Sequence, residues 1–220
     1  MTEIFIGLDG EMTGTELSCH SLIQIGAALS EEAIFGSIIS WDTFQYDPES
    51  LRLIGRTVIS VRSGPSAADV DDMLVNWLTK NNLIGKKIVP VGWGVSSFDR
   101  PFISKTLPRF HSLLHHHSVE LNAVVYTLAG TCTYLGEQVD FSCWKRMAKK
   151  MAALTVLNAT GIQPREHDAA DDALLALLAW RWMRQVIAGQ SIPSGNNSGY
   201  YDDGRHCGVD LGKQAVSFTL

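Results

Sequence analysis

Along residues 4–11, Ile4, Ile6 and Leu8 alternate with Phe5, Gly7, Asp9 and Glu11, a period of two that predicts a β-strand. Residues 21–29 and 33–41 are two further strand candidates, separated by the short Ser30-Glu31-Glu32 turn. Connections that short imply antiparallel neighbours. The period then changes. Val70, Met73, Leu74, Trp77 and Leu78 follow the i, i+3, i+4, i+7, i+8 spacing of one helical stripe, with Pro65 and Ser66 at its start. Residues 87–94 are apolar and short enough for a buried strand, and 98–110 predict a helix. Val119-Glu120-Leu121 reads as a last short strand, with Asn122 capping a helix through Leu128. A helix near 147–157 should stop by Gly161. The longest helix candidate, from Ala169 to about Ala188, is apolar nearly all round until Arg181 and Arg184. Meander strands followed by strand–helix alternation predict an α/β fold, a mixed sheet covered by helices.

Composition narrows the class. A chain of 220 residues fits one fairly large domain, here 1–188, followed by a loop-rich tail over 189–220 that begins at Gly189 and contains Pro193 and Ser194-Gly195-Asn196-Asn197-Ser198-Gly199. With 45% hydrophobic and 19% charged residues, a disordered polyelectrolyte is excluded. No apolar run is long enough to cross a bilayer, and Met1-Thr2-Glu3 does not resemble a signal peptide. Cys19, Cys132, Cys143 and Cys207 are scattered without a CxxC pair, which predicts a reducing, cytoplasmic setting and neither zinc knuckle nor disulfide framework. The net charge of −5 argues against a surface generally coated by nucleic acid, although a metal-binding acidic cluster would account for it.

Three acidic clusters carry the candidate chemistry. Asp9 and Glu11 are two residues apart, so on a strand both carboxylates leave the same face. Anions that close repel one another unless a cation sits between them, and hard divalent ions prefer such an oxygen-only environment. A solvated strand end is the alternative. Asp99 follows the strand ending near Gly94, in the crevice where open α/β sheets bind ligands; taken alone, this stretch reads first as an aspartate interacting with the positive end of a helix dipole. In His167-Asp168-Ala169-Ala170-Asp171-Asp172, Asp168 fits an N-cap and Asp171 the third helical position. Asp172, on a helix with almost no polar face, needs a cation or a hydrogen-bond partner. Periodicity does not choose between Asp171 and Asp172, and His167 alone reads as a surface or capping histidine.

Together these clusters resemble the DEDD superfamily of 3′→5′ exonucleases in its histidine-containing, DnaQ-like (DEDDh) branch. The D-x-E-x-T-G motif is matched by Asp9-Gly10-Glu11-Met12-Thr13-Gly14, the second by Phe98-Asp99, and H-x-A-x-x-D by His167 to Asp172, over about residues 4–188. The resemblance implies a ribonuclease H-like fold, a five-stranded mixed sheet with three antiparallel strands and then two parallel ones. It implies that Asp9, Glu11, Asp99 and Asp172 hold two divalent ions, Mg²⁺ or Mn²⁺, with His167 as general base, and that Asp172 rather than Asp171 completes the set. Histidine suits the task, since an imidazole ordinarily titrates near 6.5. The implied activity is hydrolysis of phosphodiesters at the 3′ end of single-stranded DNA, releasing nucleoside 5′-monophosphates in DNA repair or proofreading. The backbone at Met12 and Thr13 and the aromatic ring of Phe98 would contact the terminal nucleotide.

The alternative substrate is RNA, because Glu11-Met12-Thr13-Gly14 and Asp99-Arg100-Pro101-Phe102 are similar to strings in oligoribonucleases. A nuclease-fold interaction module without catalysis is a different class, against which the intact acids and histidine argue. Two departures are visible: Gly94 and Val95 stand where many members carry asparagine, and Gln24 replaces a frequent glutamate. The expected partners are single-stranded nucleic acid 3′ ends and no membrane, with a homodimer open. In residues 144–150, the pairs Lys145/Lys149 and Arg146/Lys150 share one helix face, read either as solvated or as contacting phosphates behind the terminal nucleotide. His115-His116-His117 with His111 is read as a surface loop. Gln214 to Phe218 only loosely resembles sliding-clamp peptides, so clamp contact through the tail is not expected.

Overall fold

The structure, a computed structural model, describes residues 3–134 and 141–188. The strands β1 (Glu3–Met12), β2 (Leu22–Ala28), β3 (Ile34–Ile38), β4 (Lys87–Gly92) and β5 (Val119–Glu120) form one sheet in the order β3-β2-β1-β4-β5. β1 pairs antiparallel with β2 and β2 with β3, whereas β1–β4 and β4–β5 are parallel. This is the mixed five-stranded α/β arrangement expected. The helices are α1 (Pro48–Leu53), α2 (Val58–Val61), α3 (Ala67–Lys80), α4 (Arg100–Thr106), α5 (Pro108–Leu113), α6 (Leu121–Tyr134), α7 (Phe141–Thr160) and α8 (Ala169–Ile187).

The alternation along β1 divides the molecule into two cores. Ile6, Leu8 and Met12 point to one face, where Val70, Leu74 and Leu78 of α3, Phe102 of α4 and Phe110 of α5 cover them. The opposite face packs on α6, α7 and α8 through Val125, Trp144, Ala148, Leu174 and Leu177. α8 lies unusually close to the sheet because three glycines clear a path for it. A β-carbon on Gly7 would sit 1.8 Å from the Ala173 carbonyl oxygen, and one on Gly26 1.8 Å from that of Ala169. On Gly36 it would sit 2.7 Å from Ala170 Cβ. Gly26 is paired in register with both Asp9 and Gly36. The first turn of α8 therefore lies over the strand position that carries Asp9.

Local chemistry explains where the elements differ from the expected ones. The short helices α1 and α2 have no full hydrophobic period to announce them. They are set by caps: Asp47 accepts from the Glu49 and Ser50 main-chain N–H groups ahead of Pro48, and Thr57 and Ser60 form a capping box. The helix expected over 98–110 is interrupted. A single π-helical turn, Val95–Asp99, leads into α4, which ends where Pro108 follows Leu107 (φ −130°, ψ 62°). Proline disfavours a helical residue before it and supplies no N–H. Buried Asp71 of α3 then caps α5, accepting from the main-chain N–H of Arg109 at 3.0 Å and of Phe110 at 2.7 Å. α7 stops before Gly161, whose φ of 71° is the left-handed value that favours glycine after a helix.

Among the described residues no helix is long and apolar enough to cross a membrane. The tail expected over 189–220, including Gln214 to Phe218, lies outside the described residues.

Candidate active site

β1 carries Asp9 and Glu11 to its C-terminal end on the same side as Gly7, the face that α8 covers. Asp99 arrives from the neighbouring strand by a tightly held turn. After β4 ends at Gly92, Gly94 adopts φ 96°, a left-handed conformation that L side chains rarely take. Glu120 of β5 braces this turn, accepting from Gly94 N at 3.0 Å through Oε2 and from Ser96 N through Oε1. The π-helical turn that follows ends with Asp99 only 4% exposed, its Oδ1 accepting from Gly10 N at 2.9 Å.

The third contribution comes from the start of α8. Asp168 is its N-cap, and its side chain accepts from Asp171 N. Asp171 is tied to Arg165, whose main-chain N and Nε reach its Oδ2 at 2.9 and 3.3 Å. Asp172 instead faces the sheet side, and its Oδ2 accepts from His167 N at 3.1 Å. His167 has φ 57°, an uncommon conformation for a residue with a β-carbon and one that clusters at functional sites. Asp9, Glu11, Asp99, His167 and Asp172 all line one open cleft of about 450 Å³. Side-chain ligand atoms of Glu11, His167 and Asp172 lie within 4.8 Å of one another.

Bringing four carboxylates together has an electrostatic cost that neighbouring cations and hydrogen bonds offset only in part. Burial pushes the Asp9 carboxyl well above the usual range, and repulsion from Asp99, Glu11 and Asp172 adds to it. Glu11 rises to about 7, through burial first and then the charges of Asp172 and Asp99. Asp99 also rises to about 7 by burial, against the opposing hydrogen bond from Gly10. Asp172 is raised by burial, partly offset by Lys149 and His167. An oxygen-only set of partly buried acids that repel one another fits a hard divalent cation, which would replace repulsion by ligation. Asp9, Glu11, Asp99 and Asp172 are the residues that could hold it.

Phe98 lines the cleft, 39% exposed, with its ring edge-on to Phe102 at a centroid distance of 5.7 Å. Met12 and Thr13, expected to touch substrate through their backbone, do not line the cleft with their side chains. Met12 is buried in the core on the far face of β1, because β1 alternates. Thr13 is fully buried: its hydroxyl donates to the Gln45 carbonyl at 2.6 Å and accepts from Ser21 N at 2.9 Å, and its own N–H donates to the Ser21 carbonyl. Their side chains serve the fold, not the cleft wall. Trp93 lines the cleft without having been singled out as a site residue, and Lys149, exposed on α7, lines it beside the acids. The Gly92-Trp93-Gly94 string was the available signal for Trp93. Glu120 was unreadable from sequence, since its partners are main-chain groups of another loop. His115 to His117 form a surface loop at the opposite end of the sheet, anchored by His115 N on the Ile88 carbonyl at 2.7 Å.

No protein-family model and no curated protein matches the chain. Solved structures do. Cell-death related nuclease 4 matches at 15% identity over 84% of this chain and 64% of its own, with a TM-score of 0.53. E. coli exonuclease I in complex with a dT13 oligonucleotide matches at 18% identity over 84% and 42%, with a TM-score of 0.52. A 3′-exonuclease whose structure concerns 3′-end recognition of histone mRNA stem-loop matches at 15% identity over 82% and 63%, with a TM-score of 0.51. The match spans less than two thirds of each of those chains. What is shared at this identity is the fold, the ribonuclease H-like α/β architecture of these nucleases.

Proposed function

We propose that the protein is a divalent-metal-dependent 3′→5′ exonuclease acting on single-stranded nucleic acid, with DNA as substrate and RNA as the alternative. One observation carries the reading: four carboxylates from a strand end, a π-helical turn and a helix start converge on one cleft beside a histidine. Similarity in fold to nucleases supports it. In this reading Asp9, Glu11, Asp99 and Asp172 hold two Mg²⁺ or Mn²⁺ ions. Four carboxylates and two such ions sum to a nearly neutral site that accepts a phosphodiester anion.

When bound, the ions acidify a water and offset charge on the departing 3′ oxygen. His167, exposed at the rim, accepts the proton of the attacking water. Its main-chain bond to Asp172 keeps base and ligand in fixed relation. Gly10 and Glu120 hold Asp99 from two sides, through its carboxylate and through its turn. Phe98 offers an apolar ring on which any terminal base can stack, which suits unpaired ends without sequence choice. Attack in line with the departing oxygen releases a nucleoside 5′-monophosphate.

The test is incubation with Mn²⁺ and 5′-end-labelled single-stranded DNA and RNA of equal sequence. Stepwise shortening from the 3′ end, with release of 5′-monophosphates, is the expected result. Both polymers remaining intact, or fragments from internal cleavage, would overturn the reading.

A further inference from the structure

Next to the acids the cleft wall changes sign. Trp93 lines the cleft where β4 ends, and α7 lays two lysines over its ring: Lys145 Nζ lies 5.2 Å and Lys149 Nζ 5.8 Å from the ring centroid. The lysines are one helical turn apart on a single face of α7, and Lys145 also lies 5.9 Å from the Phe141 ring centroid. Neither ammonium forms an ion pair among the described residues. The indole face holds two like charges close together, which cation–π attraction can do without neutralising either. Burial and the neighbouring Lys149 charge both push the Lys145 ammonium below its usual pKa, as expected for cations crowded together. The two cations are pinned side by side without an ion pair among the described residues, Lys149 lining the cleft beside the acids and Lys145 one turn behind it, so they present positive charge at the edge of the carboxylate cluster.

We propose that Lys145 and Lys149, seated on Trp93, bind the backbone phosphate on the 5′ side of the scissile one. The site thereby takes an oligonucleotide in preference to a single phosphodiester. This rests on the exonuclease reading for which phosphate is scissile, but binding of a phosphate chain by the two lysines is measurable without turnover.

The experiment compares the full-length protein with K145A/K149A and the charge-retaining K145R/K149R. Fluorescence anisotropy of 5′-labelled dT8 is followed against salt, with Ca²⁺ in place of Mn²⁺. Losing the one phosphate that the pair neutralises should reduce the slope of log affinity against log salt by about 0.7, the value per single-strand phosphate. The arginine pair should keep the slope. In Mn²⁺, the ratio of kcat/KM for dT8 to that for the p-nitrophenyl ester of thymidine 5′-monophosphate should fall about tenfold in K145A/K149A. An unchanged slope in the alanine variant overturns the phosphate subsite, whatever the turnover. If the slope falls but the wild-type protein hydrolyses neither compound, the subsite stands and the exonuclease reading falls.

Discussion

Gly10 N donates a 2.9 Å hydrogen bond to Asp99 Oδ1 across 89 residues of sequence, joining the first acidic cluster to the second. The bond fixes the carboxylate that the turn after β4 delivers, and it favours the ionised form that burial opposes. Asp99→Asn keeps an oxygen to accept from Gly10 but removes the charge. We expect at least a 1,000-fold loss of Mn²⁺-dependent hydrolysis, about 4 kcal/mol of lost transition-state stabilisation. The metal-free protein should melt no lower than wild type, because a repelling charge is gone. A variant that keeps normal turnover would remove Asp99 from the site.

The raised carboxyls give stability a definite pH dependence. Glu11 and Asp99 stand at about 7 in the folded protein against 4.5 and 3.8 ordinarily. Between those limits the folded state holds protons that the unfolded chain has released. Stability contributed by these groups therefore falls as pH rises from about 4 to about 7, and levels off above. The Tm of the metal-free protein should decline over that interval, and the Tm gain from added Mn²⁺ should grow over the same range, as measured by calorimetry in chelator or in Mn²⁺. A Mn²⁺ gain that is flat from pH 5 to 8 would contradict the assignment.

Gly26 carries no functional group, yet the site depends on it. A methyl there would meet the Ala169 carbonyl oxygen at 1.8 Å, so α8 must move off the sheet and carry Asp172 with it. Gly26→Ala should cost about 2–4 kcal/mol of stability, the range of severe overpacking, and weaken Mn²⁺ binding in the fraction that remains folded. Gly55, with φ 63° and open space around it, provides a contrast: Gly55→Ala should lower stability through backbone strain without changing Mn²⁺ affinity. Denaturation and Mn²⁺ titration of both variants distinguish the two effects.

β1 and α3 were legible from unbroken hydrophobic periods, and α8 from the length of its apolar run. Asp9 and Glu11 could be placed on one face from spacing alone. The choice between Asp171 and Asp172 could not be made that way, since α8 is apolar on both flanks; the Arg165 pairing of Asp171 separates them in three dimensions. Leu107–Pro108 carried a break signal, and the structure ends α4 there. Other features depend on partners distant in sequence. The burial of Thr13 depends on Gln45 and Ser21, which enclose it, and the glycine path under α8 appears only when β1, β2 and β3 are set side by side.

His167 separates proton transfer from metal binding. Its tie to Asp172 runs through the main chain, so His167→Ala leaves that bond in place. Turnover should fall by about 10²- to 10⁴-fold, the usual loss with a general base, while Mn²⁺ affinity changes by no more than about threefold. Added imidazole should restore part of the rate. Loss of Mn²⁺ binding equal to that in Asp99→Asn would make His167 a ligand instead of a base.

The central claim is that Asp9, Glu11, Asp99 and Asp172 share divalent ions, and anomalous scattering from crystals grown in Mn²⁺ tests it most directly. The account predicts two manganese peaks within ligating distance of these four side chains. Crystals that show the carboxylates turned apart with no manganese between them would contradict it.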